Sequence, residues 1–222
     1  MRAGKSIVLL LGLALLLWIR AGHAAADGFP ALTEAAGEHR AQNVLVFGDS
    51  LSAEYGLPRG TGWVGIIERR LADREQAYQI RNASISGDTS AGGLQRLPQV
   101  LNEFPPDIVV LQLGANDGLR GLPVADMKDQ LRKIIELCRA QGAAVLLVGQ
   151  HIPPNYGQRY ARQFHEAYAE LAQETGAALV PFMLERIATS VDMFQPDGLH
   201  PTVAAQEEIA RTIWEYLEPM LN

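Results

Sequence analysis

The chain has a single cysteine, Cys138, so no intrachain disulfide can form. It sits in the apolar helical stretch Ile134-Ile135-Glu136-Leu137-Cys138 and reads as a small core residue rather than a nucleophile. No cluster of His and Cys has zinc-site spacing, so no metal is expected. No block of basic residues is present, and the net charge is -6, which gives nucleic acid nothing to bind. The longest apolar run, Ile7 to Ile19, falls short of the about 20 residues that a membrane-spanning helix needs. Internal repeats, linkers and low-complexity segments are also missing.

What is present is a soluble globular composition, 48% hydrophobic and 20% charged over 222 residues, enough for one domain with a full core. The first residues stand apart. Arg2 and Lys5 precede the apolar run, and small residues from Ala21 to Ala26 follow it. That order reads as a secretory signal peptide over 1–26, cut after Ala24 or Ala26, with the domain spanning 27–222. The other reading is an uncleaved N-terminal anchor; no cysteine lies near the cut to carry a lipid. Cleavage would remove Arg2, Lys5 and Arg20 and no acid, taking the net charge to -9. A periplasmic or secreted protein without a stable membrane anchor is expected, and nothing in the sequence demands more than a monomer.

From Val44 onward, short apolar runs alternate with helical patterns. Strands are expected at Val44–Phe47, Tyr78–Asn82, Asp107–Leu113, Ala143–Val148 and Ala178–Val180. Helices are expected at 63–72, 94–104, 127–140 and 158–175, and from Thr202, as N-cap, to Leu217. Strands apolar throughout and separated by helices predict a mainly five-stranded parallel sheet in a three-layer α/β/α sandwich, flavodoxin-like. Ligands of such sheets bind at the carboxyl ends of the strands.

Four polar segments fall in or near those places. Gly48-Asp49-Ser50-Leu51-Ser52 follows the first strand and places Ser50 like a nucleophile in a tight turn, though an ordinary turn serine would look the same. Asn82 to Gly93 follows the second and lets backbone N–H groups approach a ligand. Gly114-Ala115-Asn116-Asp117 follows the third; the Asn116 amide is either an oxyanion donor or part of an Asx turn. Near the C-terminus, Asp197-Gly198-Leu199-His200-Pro201 spaces a carboxylate three residues before an imidazole, close enough to fix its tautomer. His39 and His165 read as surface helix residues.

Taken together these blocks resemble the SGNH (GDSL) hydrolases, and within them the multifunctional thioesterase–lysophospholipase and arylesterase branch. The similarity runs from about Val44 to about Ile209, with no departure at the motif positions. It implies a serine esterase with Ser50, Asp197 and His200 as catalytic triad. The Ser50 and Gly87 N–H groups and the Asn116 amide would form the oxyanion hole. Leu119, Leu122, Ile152, Pro153 and Tyr156 would contact an acyl ester or thioester substrate, and no cofactor is implied. A carbohydrate or peptidoglycan O-acetylesterase is the second reading, and a non-catalytic periplasmic binding module the third.

Overall fold

The computed structural model describes residues 40–221. The proposed signal peptide, His23 and His39 lie outside them. Five strands, β1 (Gln42–Gly48), β2 (Tyr78–Asn82), β3 (Ile108–Gln112), β4 (Ala144–Val148) and β5 (Ala178–Val180), pair in the order β2-β1-β3-β4-β5. Every pairing is parallel, so all five carboxyl ends share one edge.

Burial on both faces explains why these strands carry no polar alternation. Successive side chains point to opposite sides. Leu45, Phe47, Val109 and Leu111 pack into one core layer with Leu97, Leu131, Ile134, Phe164 and Tyr168. Val44, Val46, Ile108 and Val110 pack into the other with Trp63, Ile67, Ile209 and Ile213. Helices α1 (Trp63–Ala72) and α6 (Gln206–Leu217) therefore cover one face, while α2 (Ser90–Glu103), α4 (Val124–Ala140) and α5 (Gln158–Thr175) cover the other. In α4 the buried positions Met127, Leu131, Ile134, Ile135 and Cys138 repeat at helical spacing, giving it one apolar stripe.

Three elements depart from the sequence reading. First, α2 begins at Ser90, before the expected Leu94. The Thr89 hydroxyl accepts from the Gly92 N–H at 3.2 Å, and this cap offsets the helix-weakening pair Gly92-Gly93. Second, Ala115–Leu119 forms a short helix, α3, that no sequence pattern predicts. Its entry needs Gly114 at φ 113°, and a Cβ there would lie 2.2 Å from the Tyr168 hydroxyl. Third, Thr202 does not cap α6. A 3-10 turn at Val203–Ala205 intervenes, and the Thr202 hydroxyl instead donates to the Met193 carbonyl at 3.3 Å. That bond ties the start of the last helix to the loop that carries Asp197 and His200.

Candidate active site

The turn after β1 is built from below. The Asp49 carbonyl accepts from the Ser52 and Ala53 N–H groups, which curls the chain sharply and leaves Ser50 at its apex. Asp49 itself is fully buried. Its Oδ1 accepts from the Leu51 N–H (3.1 Å) and from Gln112 Nε2 (2.9 Å). Gln112 Oε1 in turn accepts from the Ser52 hydroxyl at 2.6 Å, and Asn82 Nδ2 donates to the Ser52 carbonyl at 2.7 Å. The ends of β1, β2 and β3 are thus laced together beneath the serine.

The opposite wall comes from the loop between β5 and α6. Asp197 Oδ1 accepts from the N–H groups of Leu199 (2.9 Å) and His200 (3.0 Å), while Oδ2 lies 2.7 Å from His200 Nδ1. The other ring nitrogen, Nε2, lies 2.8 Å from Ser50 Oγ. Partial desolvation pushes the Asp197 carboxyl up, but the three hydrogen bonds together with the imidazole outweigh it and hold the group down to about 2. It is therefore ionised at any working pH and keeps the Nδ1 proton in place, so that Nε2 presents a lone pair to the serine.

Gly87 and Asn116 meet on a third side. Asn116 Nδ2 donates to the Asp88 carbonyl at 3.0 Å. Asp88 is itself gripped by Arg96, whose Nε donates to Oδ2 at 2.7 Å and whose Nη1 donates to the Ala83 carbonyl at 2.6 Å. The buried carboxylate of Asp117 accepts from both the N–H and the hydroxyl of Ser90. That pair joins α3 to the start of α2, which keeps Asn116 in register with the Gly87 loop.

Ser50, Gly87, Asn116 and His200 all face one cleft of about 570 Å³. Of the five expected substrate contacts, Leu119, Ile152 and Pro153 line it. Leu122 and Tyr156 are not among its lining residues; both are exposed large hydrophobics, Tyr156 on a 3-10 turn at Pro154–Tyr156. Further apolar wall comes from Tyr55, Phe182, Leu184, Ala188 and Phe194, which sequence reasoning missed. Most of these follow β5, where no periodicity marks them; the rule that ligands gather at carboxyl strand ends pointed there.

His165 is not a plain surface residue. It is half-buried on α5, its ring centroid 3.9 Å from that of His151, which stacks on Phe182 in the cleft wall. Burial, reinforced by His165, lowers the His151 pKa, which favours the uncharged ring in this wall. Burial also pushes the Cys138 thiol up to about 12, which leaves it unreactive. Among the described residues no group of three or more His, Cys, Asp or Glu could hold a metal ion, and no helix is long and apolar enough to cross a membrane.

Burial drives the Asp49 carboxyl up to about 6, against the lowering pull of Gln112, the Leu51 N–H and His200. Its Oδ2 is buried without a partner. A raised acid favours its protonated form in the folded state. The stabilising contribution is therefore full below the unfolded value near 4 and is lost as pH rises through about 6. Asp49→Asn keeps the Oδ1 acceptor and cannot ionise. Its stability relative to the native chain is expected to gain about 2–3 kcal/mol between pH 4 and pH 8. Urea unfolding of both proteins at the two pH values measures this; a constant difference would contradict it.

A parallel sheet that presents a serine at the carboxyl end of β1, with an imidazole–carboxylate pair across the same cleft, is the build of a serine ester hydrolase. The chain belongs to the GDSL-like lipase/acylhydrolase family, whose profile matches residues 46–207. It is 49% identical over 181 residues to "Esterase TesA" of Pseudomonas aeruginosa, covering 82% of this chain and 90% of that protein. It is 38% identical over 182 residues to "Thioesterase 1/protease 1/lysophospholipase L1" of Escherichia coli K12, covering 82% and 86%. A solved structure described as TesA superimposes with a TM-score of 0.79 at 48% identity, covering 81% of this chain and all of that one.

Proposed function

We propose that Ser50, His200 and Asp197 hydrolyse acyl esters and thioesters through an acyl-serine intermediate. The observation that carries this reading is the continuous hydrogen-bonded relay at the mouth of an apolar cleft, 2.8 Å from Ser50 Oγ to His200 Nε2 and 2.7 Å from Nδ1 to Asp197. Ser50 Oγ attacks the acyl carbon while His200 Nε2 takes its proton. The carbonyl oxygen becomes an oxyanion, held by the Ser50 and Gly87 N–H groups and Asn116 Nδ2. Collapse breaks the bond to the alcohol or thiol, which leaves with the proton from His200. Water then enters, gives its proton to the same nitrogen and releases the acid, and Ser50 recovers its proton.

The acyl chain lies against Leu119, Ile152, Pro153 and Phe182. Aryl esters, acyl thioesters and lysophospholipids fit a site that grips the acyl part through apolar contact and leaves the alcohol side open. Residues 1–26 act as a cleaved signal peptide and deliver a monomeric enzyme to the periplasm or the exterior. Hydrolysis of p-nitrophenyl esters from acetate to palmitate tests the reading. Rates are expected to peak at a chain longer than acetate and to fall before palmitate. Activity confined to acetylated sugars, with none on longer acyl esters, would overturn it in favour of an O-acetylesterase.

A further inference from the structure

The His200 ring packs against Tyr55, whose ring centroid lies 4.3 Å away with the planes inclined by 36°. Tyr55 is 50% exposed, so burial of its own surface does not explain why it sits there. The segment that carries it is held with unusual care. Glu54, just before it, is the single non-glycine residue with positive φ among the described residues, at 58°. A left-handed conformation in such a residue persists only where its surroundings impose it, and such residues gather at functional sites. The Glu54 carboxylate accepts from the N–H groups of Gly60 (3.1 Å) and Gly62 (2.8 Å), which anchors the loop to the start of α1. On the other side, Gln195 Nε2 donates to the Tyr55 carbonyl at 2.9 Å. The Gln195 N–H also donates to the His200 carbonyl at 2.7 Å. One residue thus fixes the backbones of both stacked rings. Gly56 makes room for it, since a Cβ there would fall 2.3 Å from Gln195 Oε1.

We propose that Tyr55 is a positioning residue that stabilises the imidazolium form of His200 through its ring face. The inference rests on His200 acting as general base. As a neutral base the imidazole gains little from the aromatic face. When it takes the Ser50 proton it becomes a cation on a π surface, an attraction that strengthens with charge. Stabilisation that appears only as the transition state forms raises kcat and leaves KM alone. The same stack limits rotation of the ring away from Ser50.

Tyr55 also borders the cleft, so the test must separate a base-positioning role from a substrate contact. On p-nitrophenyl acetate, which has almost no acyl chain, Tyr55→Leu is expected to lower kcat about tenfold with KM within about twofold. Tyr55→Phe is expected to restore most of that loss, because the ring face and not the hydroxyl carries the effect. Tyr55→Met, a second non-aromatic variant at a half-exposed position, is expected to match Tyr55→Leu. Native kcat in both non-aromatic variants overturns the proposal. So does failure of Tyr55→Phe to restore activity, or a loss that appears in KM and grows with chain length. Ser50→Ala, assayed alongside, separates the two levels. Activity surviving there overturns the serine–histidine reading and Tyr55's role with it. Activity lost there but unchanged in Tyr55→Leu overturns the role of Tyr55 alone.

Discussion

Replacing Ser50 with alanine is expected to lower kcat on every ester by about 10⁴-fold or more. The size follows from the loss of the hydroxyl that His200 Nε2 contacts at 2.8 Å. The next hydroxyl along the chain, Ser52, is 1% exposed and already donates to Gln112 Oε1 at 2.6 Å, so it can neither reach substrate nor release its proton. Cys138 lies in the core with its thiol pushed up to about 12. Without the Ser50 hydroxyl, His200 has no proton to take, and only direct attack by water remains. An organophosphonate should add once to the native protein, detected as a single mass increment, and not at all to the variant. Variant activity within about tenfold of native would sink the assignment, whatever the labelling shows.

Asn116→Ala is expected to cost about 10²–10³ in kcat with little change in KM. The two effects differ because the amide meets a charge that exists only in the transition state. The ground-state carbonyl oxygen carries far less charge and lies farther from the donor. The relay of His200 and Asp197 is assembled on another wall of the cleft, so the variant should still react with the phosphonate, more slowly. The loss of one hydrogen bond to the Asp88 carbonyl is the competing explanation, and Asn116→Asp distinguishes them. Its carboxylate keeps the shape yet repels an oxyanion, so it is expected to be at least as damaging as alanine. If Asn116→Asp is nearly as active as native, the oxyanion role fails.

The parts of this molecule that sequence patterns revealed are those governed by burial. Runs such as Val44–Phe47 and Ile108–Leu111 are apolar because both faces of the sheet are covered, and that alone marks them as parallel strands. The members of the hydrogen-bonded relay were legible as well, Ser50 in a turn after a buried run and Asp197 three positions before His200 on one loop. What escaped was set by tertiary contact. Helix α3 is too short and too polar to show a period, and depends on Gly114 packing against Tyr168. Thr202 has the chemistry of a cap, yet the loop from Met193 claims its hydroxyl. Phe182, Leu184 and Phe194 form cleft wall without any repeat, because the segment after β5 is irregular. His165 looked like surface because its neighbour His151 comes from a different part of the chain.

The hydrogen bond that closes the relay spans 150 positions along the chain. Ser50 lies near the beginning of the described domain, and His200 close to its end. Asp197 and His200 arrive together on one short loop, but they have nothing to act on until the sheet has formed and α6 has docked behind it. An unfolded chain carries every group of the relay and yet no relay. Competence to cleave esters is therefore a property of long-range contact, absent from any local segment of the chain and present only once the whole sheet and its last helix are in place.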